Sequence, residues 1–107
     1  MSPRPGEVWI ADLGLAAKTR PVVIVSRYDP DPPRLLVIYV PLTSASRGSK
    51  YEIKLPKMPF LKLESVANVQ GMGSIPVTRL ERKLGDLPPN VLTDIKRAIA
   101  FGLDIGS

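Results

Sequence analysis

The chain has 107 residues with 44% hydrophobic and 23% charged residues, enough for one core of ordinary size. Its net charge is +5, and it contains neither cysteine nor histidine. Disulfides, a thiolate nucleophile, a Cys/His zinc site and a histidine general base are therefore excluded. The start, MSPRPGEVW, lacks the apolar core of a signal peptide, and no apolar run approaches membrane-spanning length. The expectation is one cytoplasmic domain over residues 1–107.

The charge is unevenly spread. Residues 13–62 carry nine Lys/Arg against three Asp/Glu, and the remainder carries six against seven. A basic half attracts polyanions through their phosphates, although charge alone fits a plain solvated surface equally well.

Along the chain, Gly6–Leu13 (GEVWIADL) alternates as a strand, with Val8 and Ile10 on one side and Trp9, Ala11 and Leu13 on the other. Trp9 is expected in the core or an interface. Gly14–Thr19 is a small-residue link. Arg20–Ser26 (RPVVIVS) and Arg34–Ser44 (RLLVIYVPLTS) are near-continuous apolar runs, as strands buried on both faces are. A proline-rich loop at 28–34 joins them. Tyr51–Leu55 alternates, which turns Tyr51, Ile53 and Leu55 inward and Glu52 and Lys54 toward water. Pro56–Lys62 is a proline-broken link. Glu64–Gly71 reads as a further strand, followed by short ones at Ser74–Val77 and Arg82–Asp86.

After Leu87-Pro88-Pro89 the period lengthens. Leu92, Ile95, Ile99 and Leu103 recur every three or four residues, with Val91 and Ala98 beside them, so a terminal amphipathic helix is expected. Pro89 falls in its first turn, where a missing N–H costs nothing. Short strands with one covering helix predict a mainly β fold, a small and partly open barrel.

Read in order, RPGEVWIADLG, RPVVIVS, VPLTS, ESVANVQG and TRLERKLGDLPPNVLTDIKRAI resemble the MazF/PemK toxin endoribonucleases, from about Arg4 to Leu103. The resemblance implies an SH3-like barrel of the CcdB/MazF type, a homodimer and sequence-selective cleavage of single-stranded RNA without metal or other cofactor. It also implies a cognate antitoxin that occupies the same groove. The family's catalytic arginine falls on Arg20 and its catalytic hydroxyl on Thr43. Ser65 matches a family RNA-contacting serine, and Ser44 beside Thr43 is placed with the RNA-binding residues. Lys18 and Thr19, in the link before the second strand, are candidate phosphate contacts.

The chemistry is consistent with those assignments. RNA carries its own nucleophile, the 2′-hydroxyl, so the protein need only stabilise charge developing on the phosphorus oxygens. A guanidinium with forked donors and a neighbouring hydroxyl can do so. Arginine is a poor proton acceptor, which leaves Glu7, the substrate or water for the proton transfers. The residues by themselves leave Arg20 open as a solvated strand end and Thr43 as a turn-closing hydroxyl.

One segment departs from the family. The family's glutamine, arginine and aspartate at the end of the fifth strand map onto Gly71, Gly73 and Pro76, so their roles do not carry over. Asn68 and Gln70, two residues apart and so expected on one face of the strand, offer amide donors and acceptors that could read base edges, satisfy each other beneath a loop or lie at the dimer contact. A non-catalytic RNA-binding module and, further off, a CcdB-like gyrase poison are the competing readings. The second would need an exposed aromatic helix end, for which the sequence offers only Phe101.

Overall fold

The computed structural model describes residues 2–14 and 19–106. Among these residues seven strands form, β1 (Glu7–Asp12), β2 (Thr19–Ile24), β3 (Leu36–Thr43), β4 (Glu52–Lys54), β5 (Val66–Asn68), β6 (Gly73–Pro76) and β7 (Leu80–Asp86), followed by helix α1 (Pro89–Gly102). All pairings are antiparallel, in the path β4-β5-β3-β2-β1-β7, with β6 also paired to β3. No pairing among the described residues joins β4 to β7, so the barrel stays open, as its short strands predict.

β3 is the hub. One edge pairs with β2 from Tyr39 to Pro41, and the other pairs with β6 over Leu36–Tyr39 and with β5 at Leu42 and Thr43. The run expected as one strand over 64–71 is cut short. Val66–Asn68 pairs with β3, and the chain then leaves the sheet through a 3₁₀ turn at Val69–Gly71 before rejoining β3 as β6. The Asn68 side-chain oxygen accepts the Gln70 N–H at 3.1 Å, a local bond that competes with the ladder and ends it.

Alternation along β2 feeds two cores. Val23 joins Val8, Val40, Leu42 and Ala67 under α1, while Val22 and Ile24 join Ala11, Val37, Ile75 and Leu80 on the other face. Val22, Val23 and Ile24 are all fully buried, as a two-faced strand requires. Tyr51 and Ile53 pack partly buried against the larger core, and Leu55 lies within it. Trp9 packs against the smaller cluster while its Nε1–H donates to Glu7 Oε1 at 2.9 Å.

α1 buries Val91, Ile95 and Ala98. The stripe is thus centred about one residue away from the expected row. Leu92 and Ile99 are only partly buried, and Leu103 lies past the helix end, 52% exposed. The link at 56–62 is more than a connector. Met58 is buried, and the Phe60 ring lies so close over Gly85 that a Cβ there would come within 2.5 Å of it. Among the described residues, no helix is long and apolar enough to cross a membrane.

Candidate functional site

Strand register predicts where polar groups gather. Val22 pairs with Pro41, so carrying the register one two-residue step further sets Arg20 opposite Thr43. Thr43 pairs with Val66 of β5, and two residues along, Asn68 pairs with Glu52 of β4. Arg20, Thr43, Asn68 and Glu52 therefore lie on one face of four adjacent strands, the face that carries the smaller core further along β2 and β3. Where Val22, Ile24 and Val37 give out, this polar row begins.

Two grooves meet at that row. The first, about 440 Å³, is walled by Thr19, Arg20, Thr43, Ser44, Ser65 and the segment Phe60–Leu63, with Arg82 of β7 contributing a second guanidinium. The second, about 340 Å³, holds Asn68, Gln70, Arg47, Ser49 and Glu52. Arg20 and Thr43 line both. Of the candidate residues, Lys18 lies outside the described residues, and the other seven share these two grooves.

Arg20 is exposed, and among the described residues no carboxylate comes within ion-pair distance of it. Thr43 Oγ1 accepts the Ala45 N–H at 3.1 Å. That bond fixes the side chain and uses an acceptor site, leaving the hydroxyl proton to donate. The turn-closing role that the residues left open is thus present, and it is compatible with a second role. Ser65 Oγ donates to Leu63 O at 3.2 Å, which fixes the serine against the groove wall.

Asn68 and Gln70 do reach the same groove, but not as two positions of one strand face. Asn68 ends β5, and its carbonyl oxygen is engaged by the Gln70 backbone, so the Asn68 NH₂ and the Gln70 amide remain for an external partner. Glu7, open as a proton acceptor from the sequence, is placed elsewhere. It lines neither groove, and its carboxylate is held by Trp9 Nε1 and by Lys83 Nζ at 3.4 Å.

The departures at Gly71 and Gly73 have a steric cause. A Cβ at Gly71 would lie 2.7 Å from Pro41 Cγ, and one at Gly73 would lie 2.8 Å from the Tyr39 hydroxyl. Pro41 and Tyr39 fill the space that side chains at 71 and 73 would need.

Sequence reasoning missed Lys62, Arg82, Arg47 and Glu52. The first two are brought to the groove by the 56–63 segment and by pairing of Ile10 with Arg82, neither of which has a local signature. Glu52, expected simply in water, is half-buried and accepts from the backbone N–H groups of Arg47 at 3.1 Å and Ser49 at 2.9 Å. Its carboxyl is held below the usual range, chiefly by the Ser49 backbone bond, with Arg47 adding a backbone bond and charge and desolvation opposing.

Comparison with known proteins shows the same fold elsewhere. The fold superposes on the Mycobacterium tuberculosis toxin MazF-mt6 with a TM-score of 0.83 and 30% identity, covering 97% of this chain and 100% of that one. It also superposes on a mycobacterial endoribonuclease solved with its cognate antitoxin (TM-score 0.85, 24% identity, 98% of each chain). The MazF of a MazE–MazF complex from Deinococcus radiodurans matches with a TM-score of 0.81 at 20% identity over 99% of each chain. Residues 4–103 match the model of the PemK-like, MazF-like toxins of type II toxin–antitoxin systems. The chain belongs to that toxin family.

Proposed function

We propose that this toxin is a sequence-selective endoribonuclease that cleaves single-stranded RNA by attack of the substrate's own 2′-hydroxyl, and that a cognate antitoxin neutralises it by filling the same groove. The observation that carries the reading is the placement of Arg20 and Thr43 where two grooves join. A single strand crossing that junction leaves nucleotides in both grooves and one phosphate beside the guanidinium and the hydroxyl.

In this mechanism the 2′-oxygen attacks phosphorus, negative charge builds on the non-bridging oxygens, and the 5′-oxygen departs, leaving a 2′,3′-cyclic phosphate. Arg20 donates forked hydrogen bonds to those oxygens, and Thr43 donates a further one through the proton its bond from Ala45 leaves free. Each such donor, aimed where charge develops, contributes about 3 kcal/mol, roughly a hundredfold in rate. With Glu7 held by Trp9 and Lys83, the protons pass through water or the substrate itself.

Ser44, Ser65 and Thr19 contact the backbone in the first groove, and Asn68 and Gln70 read bases in the second, the Asn68 NH₂ and the Gln70 amide supplying the pattern. An exposed apolar row, Leu35, Leu36 and Ile38, supports a homodimer.

The test is incubation of the purified protein with long single-stranded RNA in EDTA, followed by mapping of fragment ends. Discrete cuts ending in cyclic phosphate support the enzyme. RNA bound but intact would leave a binding module, and intact RNA with inhibited supercoiling would point to the gyrase reading.

A further inference from the structure

We propose that Arg47 forms a second phosphate site beside Arg20, and that Glu52 is the residue that positions it. The inference rests on the RNA reading above and concerns a phosphate other than the one cleaved.

The loop between β3 and β4 is tied down at both ends. Near its start, the Ala45 N–H donates to Thr43 Oγ1 at 3.1 Å. Further along, Glu52 takes the Arg47 N–H on both oxygens at 3.1 Å and the Ser49 N–H at 2.9 Å, and the Glu52 N–H returns a bond to Ser49 O at 3.2 Å. One carboxylate thus fixes two amides of a loop that lines the groove.

Its position is unexpected on charge alone. The groove it lines also holds Arg20 and Arg47, and an acid there repels a polyanion. Holding the loop accounts for it. Because Glu52 spends its oxygens on backbone N–H groups, the Arg47 guanidinium is left over, with no carboxylate within 4.0 Å of it among the described residues. A planar fork of donors on a fixed backbone suits a phosphate diester.

The placement of the two arginines in one groove marks this as a different phosphate from the one cleaved. Glu52 pairs with Asn68, two residues beyond the Val66 that pairs with Thr43. Asn68 therefore lies about 7 Å along the strands and, with β3 between β2 and β5, about 10 Å across them from Arg20. A strand lying from Arg20 toward Asn68 runs along the groove that Arg47 also lines, so the loop helps set where the RNA sits relative to the cut.

The experiment measures binding of a short mixed-sequence 2′-O-methyl RNA, whose nucleophile is blocked, across a salt series. Arg47→Gln is expected to reduce the slope of log affinity against log salt by about 0.7, one single-strand phosphate contact. Glu52→Gln is expected to weaken binding about fivefold, the net worth of one ordinary hydrogen bond, although it removes a negative charge. Hydrogen exchange of the Arg47 and Ser49 amides should speed up in Glu52→Gln while the sheet amides keep their protection, which shows that the fold is retained. An unchanged slope in Arg47→Gln, or binding by Glu52→Gln as tight as or tighter than wild type, overturns the proposal. Because the probe cannot be cut, failure of the cleavage reading leaves this result standing, whereas a wild-type protein that binds no RNA overturns both.

Discussion

Arg20 and Thr43 meet because two strands exhaust their aliphatic residues at the same level of the sheet. Up to Val22 and Pro41 the pairing is filled by packing; one step beyond, the same face has only a guanidinium and a hydroxyl to offer. Thr43→Val keeps the shape and removes the donor, and it is expected to lower the cleavage rate by roughly a hundredfold. The lost bond to Ala45 is exposed, so stability should change by only about 1 kcal/mol. Single-turnover cleavage beside a thermal melt checks both, and a large fall in melting temperature would make Thr43 a structural residue.

Glu52 makes a separate prediction in acid. Its folded pKa is depressed, chiefly by the Ser49 backbone bond, so the stabilisation it brings is complete above the pKa of an unfolded glutamate and is lost as pH falls through the lower folded value. Wild type should melt above Glu52→Gln at neutral pH, and the difference should close below about pH 4. A constant difference across that range would show that the carboxylate charge is not what holds the loop.

At the scale of elements, the long apolar runs of β2 and β3, the alternation of β4 and the period of α1 were all legible, because burial on one face or two leaves a direct mark on residue order. Arg20 and Thr43 were singled out through family resemblance, since a strand-end arginine alone has no distinguishing pattern; what the structure adds is that both line the same two grooves. Two things were hidden. The break in β5 depends on the Asn68 side chain capturing the Gln70 N–H, which competes with strand pairing over a single residue. The groove wall from Phe60 to Leu63 depends on Phe60 settling over Gly85, a contact across 25 residues of chain that no local pattern encodes.

The same contacts set two stability predictions. Ile95, fully buried where α1 meets the larger core, should cost about 2–5 kcal/mol when cut to alanine, read by urea unfolding. Gly71→Ala drives a Cβ to 2.7 Å from the ring of Pro41, which cannot rotate away, and should cost about 1–3 kcal/mol. Since Pro41 also lines the second groove, the same variant should bind RNA more weakly than its stability loss explains. A Gly71→Ala protein as stable as wild type would show that the turn shifts freely, and the steric account of the family departure would fall.

For the molecule as a whole, the +5 charge and the excess of basic over acidic residues at 13–62 supply attraction, while the open sheet supplies a place for it to act. Arg20, Arg47, Lys62 and Arg82 come from four separate stretches of chain and converge on two joined grooves. Under the proposed function, an acidic antitoxin segment and an RNA backbone would present the same charge to that surface and would compete for it on electrostatic grounds before any detail of sequence. The most direct measurement is the single-turnover cleavage rate of Arg20→Ala at a mapped cut site, with folding verified by its melting curve. A folded variant that cuts at least a hundredfold more slowly is the predicted result, and a folded variant that cuts at the wild-type rate would contradict the central role of the guanidinium.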